Sequence, residues 1–198
     1  DVFARHEPDW TSLFGGRAVA GESTEQVAHR EDFDRPLWTS LRDAGLLPLP
    51  LPESLGGDDL RVAELLPLLR QLGSAAAVTP ALGTLTSALF LQTLDDAARD
   101  RCSPTCAGGT WHAVAIGEPG DALTSTPRTT LRDGRLSGTK TGVLHAHGAS
   151  TLLTASDAGV VAVAADADGV SITRTPTSSG WGEYTVRFDD VGLSLIHI

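Results

Sequence analysis

The spacing of apolar residues changes near Thr105. Before that point apolar residues recur every three to four positions, as on one face of a helix. Beyond it they alternate or form short runs that end at Asp-Gly and Ala-Gly turns. The sequence therefore predicts an α+β chain, with an N-terminal all-helical domain at 1–106 and a small antiparallel β-barrel or sandwich domain at 107–192. We expect the boundary at 102–109, and 193–198 to be a non-native or truncated tail.

Three main helices are predicted in the first half, followed by a last short one that Asp95 can cap and that ends near Arg101. Asp34 can cap the first, and Gly45 supplies its left-handed end. A second helix is expected at 60–72, with a kink or split at Pro67, because proline lacks the N–H and its ring clashes with the preceding turn. A third, at 81–94, is apolar on almost every side, which implies that it is buried.

Short apolar segments in the second half predict strands separated by turns. Asp133-Gly134 suits a type I′ turn and indicates a hairpin. The predicted strands are 111–116, 129–132, 135–137, 140–144, 151–155, 160–165, 170–175 and 183–189.

The composition of the chain disfavours two classes of binding partner. The 198 residues carry 15 basic and 25 acidic side chains, a formal net charge of −10, so like charge disfavours nucleic acid and a bare membrane surface. No apolar run approaches the roughly 20 residues of a membrane span. Cys102 and Cys106 lack the spacing of a zinc or redox pair and fit reduced thiols in the cytoplasm. With no methionine at all, we expect the chain to be a fragment.

Few residues point to catalysis. His145 and His147 would share a face if the strand before them continued, and could then bind a metal. No third ligand is spaced with them, which favours a surface loop instead. The chain has no Gly-rich phosphate loop between a strand and a helix, and no serine in a nucleophile elbow.

Four glycines lie beside the predicted strands and offer another indication of a binding site. Gly117, Gly120, Gly138 and Gly142 either mark bulges and turns or leave room for a planar ligand against the main chain. Both interpretations remain open on the sequence.

Several short sequence segments, in their order and spacing, resemble segments of the acyl-CoA dehydrogenases; they are called phrases below. The N-terminal phrases are similar to that family's helical domain, and the later phrases are similar to its middle β-domain. These phrases are Leu37-Trp-Thr-Ser-Leu-Arg-Asp-Ala-Gly-Leu-Leu47, Leu51-Pro-Glu-Ser-Leu-Gly-Gly57, Glu64 to Gly73, Val114-Ala-Ile-Gly-Glu-Pro-Gly120, Leu136-Ser-Gly-Thr-Lys140 and Val186-Arg-Phe-Asp-Asp-Val191.

The resemblance implies a cytoplasmic FAD enzyme that oxidises an acyl-CoA thioester to its 2,3-enoyl form, in fatty acid or steroid side-chain catabolism. In the family a glutamate removes the α-proton and the β-hydrogen passes as hydride to the flavin. Electrons then pass to an electron-transfer flavoprotein. The resemblance also implies a homo- or hetero-oligomer. In the family the catalytic base lies in a C-terminal helical domain, and no segment of this sequence resembles that domain. We therefore assign no catalytic residue and expect the fragment alone to be inactive.

The resemblance also implies ligand-binding positions. Those expected to contact the flavin are Ile116, Gly117, Gly142, Val143 and Leu144. Those expected near the thioester are Leu123, Thr124 and Ser125.

Three of these positions depart from the family pattern. Gly117 stands where the family usually has threonine, and Gly142 and Leu144 stand where many members have tryptophan and threonine. The alternative is therefore a flavin-less structural or binding subunit of a heteromeric acyl-CoA dehydrogenase.

Overall fold

A computed structural model of the chain describes residues 2, 3, 7, 32–96, 99, 110–177 and 181–193. Both cysteines, the expected domain boundary and residues 194–198 lie outside them. In chain order the elements of the described part are α1 (Arg35–Asp43), a 3₁₀ turn (Glu53–Leu55), α2 (Val62–Ser74), α3 (Ala81–Gln92), β1 (His112–Ala115), β2 (Thr130–Arg132), β3 (Arg135–Leu144), β4 (Thr151–Ser156), β5 (Gly159–Ala164), β6 (Val170–Thr175) and β7 (Glu183–Gly192).

Helix α1 begins and ends as its caps predict. The carboxylate of Asp34 accepts a hydrogen bond from the N–H of Leu37 at 2.9 Å, and Gly45 follows the helix at a φ of +68°. The apolar face of the helix, which includes Trp38 and Leu41, is buried against the rest of the molecule.

Helix α2 runs unbroken through Pro67, so a split, one of the two outcomes expected there, is wrong. Proline leaves the carbonyl of Ala63 without its helical donor, but both residues are exposed and water can bind that carbonyl. The helix also starts at Val62, two residues later than predicted, where the carboxylate of Glu64 accepts a hydrogen bond from the N–H of Arg61 at 2.9 Å.

Helix α3 packs directly on β1. A Cβ atom added to Gly83 would lie 2.4 Å from the carbonyl oxygen of His112, so only glycine permits this approach. The hydroxyl of Thr84 also accepts a hydrogen bond from the N–H of His112 at 3.3 Å. None of the helices that the structure describes combines the length and apolarity needed to cross a bilayer.

The strands form two sheets that pack as an open sandwich rather than a closed barrel. One sheet has the order β1-β4-β5 and the other β2-β3-β7-β6. The prediction of a purely antiparallel domain is wrong at one pair, because β1 and β4 run parallel. Parallel neighbours need a long crossover, and here β2, β3 and their loops supply it.

Strand β3 joins two segments that the sequence analysis separates. It runs through Gly138 and Gly142, and its pairing with β7 shifts register twice, between Leu136 and Gly138 and between Lys140 and Val143. Both glycines therefore mark irregularities in the strand, one of the two interpretations left open. The predicted hairpin between β2 and β3 is confirmed, with Asp133 and Gly134 at positive φ values of 49° and 72°.

One apolar core connects α1 with the sandwich. The ring of Phe33 meets that of Trp111 edge-on at 4.9 Å, and Trp38 meets Trp111 in the same way at 6.4 Å. The same cluster of buried residues includes Val143, Val186 and others from both sheets. The side chain of Asp32 adds an ion pair to Arg174 on β6. The described helical and β parts therefore share a core.

Candidate functional site

The end of β1 and the second half of β3 meet at one edge of the sandwich. The N–H of Thr141 donates to the carbonyl oxygen of Gly117 at 2.9 Å, which places Gly117 beside Gly142. This edge is called the rim below, and its residues are Ile116, Gly117, Gly142, Val143 and Leu144. The structure thus brings together two segments expected to contact the flavin, although they are far apart in the sequence.

The rim presents apolar side chains to its surroundings. Ile116 is 39% exposed and Leu144 is 36% exposed, both large apolar residues. Val143 differs, because its side chain is fully buried in the core. Only the main chain of Val143 lies at the rim.

The two rim glycines exclude larger side chains for different reasons. A Cβ atom at Gly117 would lie 2.8 Å from the carbonyl oxygen of Thr141 and 3.2 Å from that of Ala122, so main-chain atoms already fill the space. Gly142 faces open space, with an oxygen of Glu183 the nearest atom at 4.0 Å, but its φ of +70° disfavours any side chain.

These residues fit a flavin in part. The apolar side chains and open glycine could contact the face of a planar ring, and the main chain could donate hydrogen bonds to its edge. The threonine that the family usually has at 117 would collide with main-chain oxygens here, and the tryptophan that many members have at 142 would have space but a strained φ. The rim therefore lacks a side-chain hydrogen bond and an aromatic cover at these positions.

The three residues expected near the thioester lie on a loop beside the rim. Leu123 is 83% exposed and Ser125 is also exposed, whereas Thr124 is half-buried. The preceding residue, Ala122, approaches Gly117 as described above. The structure therefore places the predicted flavin-contacting and substrate-contacting residues next to one another.

A buried ion pair lies directly behind the rim. The ammonium of Lys140 donates to a carboxylate oxygen of Glu118 at 2.9 Å and to the carbonyl oxygen of Ile116 at 3.2 Å. The two side chains are 0% and 2% exposed. Neither residue is predicted to have a role from the sequence, although Lys140 is the only lysine in the chain and begins a predicted strand.

The carboxylate of Glu118 remains charged in this interior position. Burial by itself would raise the pKa of Glu118. Hydrogen bonds from Lys140, from the N–H groups of Arg128 and Thr129, and from the hydroxyl of Thr129 outweigh burial and hold that pKa far below its ordinary value. A buried charge is tolerated where a partner charge and full hydrogen bonding compensate it.

The two histidines after β3 do not form a metal site. The strand ends at Leu144, so the histidines do not share a strand face. His145 is 5% exposed, which also contradicts the expected surface loop, whereas His147 is exposed and stacks on Tyr184 at 6.1 Å. Within the described ranges no cluster of three or more histidine, cysteine, aspartate or glutamate side chains could hold a metal ion.

Comparison with known sequences identifies related proteins. A profile of the family described as "Acyl-CoA dehydrogenase, N-terminal domain" matches residues 17–110. Acyl-CoA dehydrogenase FadE28 of Mycobacterium tuberculosis (strain ATCC 25618 / H37Rv) is 42% identical over 159 residues, which are 79% of this chain and 47% of that protein. Acyl-CoA dehydrogenase FadE27 of the same strain is 34% identical over 161 residues, 74% of this chain and 41% of that protein.

Solved structures with the same fold include heteromeric complexes. A chain of the "Tcur3481-Tcur3483 steroid ACAD G363A variant" superposes with a TM-score of 0.73 at 34% identity, covering 85% of this chain and 50% of that one. A chain of the ChsE4-ChsE5 complex from Mycobacterium tuberculosis superposes with a TM-score of 0.69 at 28% identity, covering 86% and 50%.

This chain therefore spans about half the length of the relatives it matches. Family profile, sequence identity and fold agree with the ordered phrases and with the packing of helices on a β-sandwich. The chain belongs to the acyl-CoA dehydrogenase family.

Proposed function

We propose that the protein is a subunit of a FAD-dependent acyl-CoA dehydrogenase assembled from two kinds of chain. Its substrate is an acyl-CoA thioester, and its electrons pass to an electron-transfer flavoprotein. Two similar solved structures are named for two different chains each, and one of them is called a steroid ACAD. These similarities support a hetero-oligomer and favour a thioester with a steroid-derived acyl group over a simple fatty acyl chain.

Two places for the flavin are compatible with this role. In the first, FAD lies against the rim of this chain, where Ile116, Leu144 and the open Gly142 contact the ring. In the second, this subunit carries no flavin, and a partner subunit holds it.

The geometry at Gly117 favours the second place. Main-chain oxygens at 2.8 and 3.2 Å from an added Cβ leave no room there for the threonine that the family usually has. The left-handed φ of Gly142 likewise disfavours a covering aromatic residue. The observation that supports the flavin-less role is the rim backbone, which blocks a threonine at 117 and strains any side chain at 142.

Purification of the full-length protein, alone and co-expressed with a second subunit of the same family, tests both levels of the proposal. The measurements are flavin absorbance per polypeptide and acyl-CoA-dependent reduction of an electron-transfer flavoprotein. We expect the protein alone to be colourless, and the complex to be yellow and active. A complex that binds no FAD and oxidises no acyl-CoA thioester contradicts the proposed function.

A matched pair of variants locates the flavin. Ile116→Asp places a charge on the rim, whereas Val62→Asp changes an apolar residue of α2 that is 55% exposed and is not one of the rim residues. If FAD lies on this rim, Ile116→Asp lowers the flavin content of the complex and Val62→Asp does not. If a partner subunit holds it, both variants keep the wild-type flavin content.

A further inference from the structure

The loop beside the rim begins and ends at the same residue. At its start, the N–H of Glu118 donates to the carbonyl oxygen of Asp121 at 2.7 Å and the reverse bond measures 2.8 Å, a tight turn that Gly120 permits at a φ of +81°. At its far end, the N–H groups of Arg128 and Thr129 each donate to the carboxylate of Glu118 at 2.9 Å. The side chain of Glu118 therefore closes the loop 119–127 at its neck.

Lys140 connects this neck to β3 and to the rim. Its ammonium bonds both the carboxylate of Glu118 and the main-chain oxygen of Ile116. One buried cation thus holds two separate features, the neck of the loop and the strand end that forms half of the rim. An apolar pair could fill the same volume, but it could not direct these hydrogen bonds.

The guanidinium of Arg128 reinforces the neck, because it donates to the carbonyl oxygen of Pro119 at 2.5 Å and pairs with the carboxylate of Glu118 at 3.3 Å. Beyond the neck the loop has little to hold it. Two hydrogen bonds within it are short-range: the N–H of Leu123 to the Asp121 carboxylate, and the N–H of Thr126 to the Thr124 hydroxyl, both at 3.3 Å. Leu123 is 83% exposed at the tip. The position of the loop relative to the rim is therefore set at its neck.

We propose that Glu118 and Lys140 are positioning residues that hold the loop 119–127 and the rim in the arrangement that receives the acyl-CoA thioester. This inference rests on the proposed function for the identity of the ligand. The placement of the loop by the buried pair stands on the geometry itself. Both residues act through the loop and the rim, and neither is a catalytic residue.

The test uses the full-length protein in its complex with the partner subunit. Lys140→Met removes the cation, and the double variant Glu118→Gln with Lys140→Met removes both charges, so that no unpaired charge is left in the interior. Arg128, the other ion-pair partner of Glu118, is 67% exposed and keeps its contact with water. Arg187→Met is the control, because Arg187 pairs with Asp189 on the surface, with side chains 65% and 72% exposed. Hydrogen exchange of the backbone amides and steady-state kinetics with the acyl-CoA substrate are measured for each.

In the double variant we expect amides in 119–129 to exchange at least about tenfold faster, while those of β4 and β5 keep their protection. We also expect KM for the acyl-CoA to rise about tenfold with little change in kcat, because a displaced loop loses binding that ground state and transition state share. Arg187→Met should leave both unchanged.

Two results would overturn the inference. One is unchanged exchange in 119–129, and the other is equal acceleration in β4 and β5, which means a general loss of stability. Faster exchange of the amides in 119–129 together with an unchanged KM would overturn the proposed role of the loop in binding the thioester. If the wild-type complex oxidises no acyl-CoA, the proposed function fails, and the exchange pattern alone then decides whether the pair places the loop.

Discussion

At the scale of single residues, His145 shows how burial changes a polar side chain. Its ring lies 5.9 Å from that of Phe33, and its carbonyl oxygen accepts a hydrogen bond from the indole of Trp111 at 2.8 Å. The Nδ1 atom of His145 is buried without a hydrogen-bond partner among the described residues. Burial lowers the pKa of His145 from 6.5 to about 4, and that of His112 likewise to about 4.

Because both histidines have lowered pKa values, we expect the stability of the protein to decrease as the pH falls. Between about pH 6.5 and 4 the unfolded chain binds protons that the folded chain does not, so the free energy of unfolding rises with pH in this range. At about pH 5 each imidazole destabilises the fold by about 2 kcal/mol relative to neutral pH. We expect His145→Asn, which tolerates the φ of +54°, to remove about half of this loss.

Urea unfolding at about pH 7.5 and pH 5 measures this prediction for the His145→Asn protein. The wild-type protein, unfolded under the same two conditions, gives the reference pH dependence. A pH dependence that is the same with and without His145 would contradict the argument.

At the scale of elements, the contact between α3 and β1 depends on one small residue. Gly83 allows the helix main chain to lie against the carbonyl of His112, as described above. Gly73 offers a contrast near the end of α2, where a Cβ atom would meet nothing within 4 Å. The same residue type thus has a packing role in one helix and no packing role in the other.

Alanine at these two glycines should change stability in opposite directions. We expect Gly83→Ala to destabilise the protein by about 1–3 kcal/mol, because an added methyl group overpacks the helix-strand contact. We expect Gly73→Ala to stabilise it by about 0.5–1 kcal/mol, because alanine has the higher helix propensity. Denaturant unfolding of the two variants measures both, and a Gly83→Ala protein as stable as wild type would show that α3 can shift away from β1.

At the scale of the whole molecule, an ion pair joins the segment before α1 to the sandwich. The side chain of Asp32 is 6% exposed and pairs with Arg174, which is 27% exposed. Burial raises the pKa of Asp32 although Arg174 and His147 both lower it. A Cβ atom on Gly182 would lie 2.3 Å from the side chain of Asp32. The side chain of Asp32 therefore packs against the main chain just before β7.

Loss of this pair should loosen the helical part from the β part. We expect Arg174→Met to cost about 3 kcal/mol, because it leaves the carboxylate of Asp32 in a mostly buried place without its counter-charge. We expect limited proteolysis to cleave the Arg174→Met protein before α1 at a lower temperature than the wild-type protein. Thermal unfolding should show a lower Tm for the same variant. The control Arg42→Met removes an exposed pair with Asp43, with side chains 47% and 62% exposed, and should change stability by less than about 0.5 kcal/mol.

Much of the fold follows from local sequence patterns. The caps of α1, the hairpin at Asp133-Gly134 and the limits of β6 match what apolar period and turn residues indicate. The order of phrases along the chain also indicates the family correctly. These features depend on neighbours within a few residues, whose geometry the backbone restricts strongly.

Packing between distant residues decided the rest. The sequence alone could not show that β1 pairs in parallel with β4, that Lys140 reaches Glu118, or that His145 is buried. It placed glycines beside strands, but whether Gly117 has space for a side chain depends on main-chain oxygens from Thr141 and Ala122. Local periodicity determines which face of an element is apolar, whereas the partners of that face are selected only when the whole chain packs.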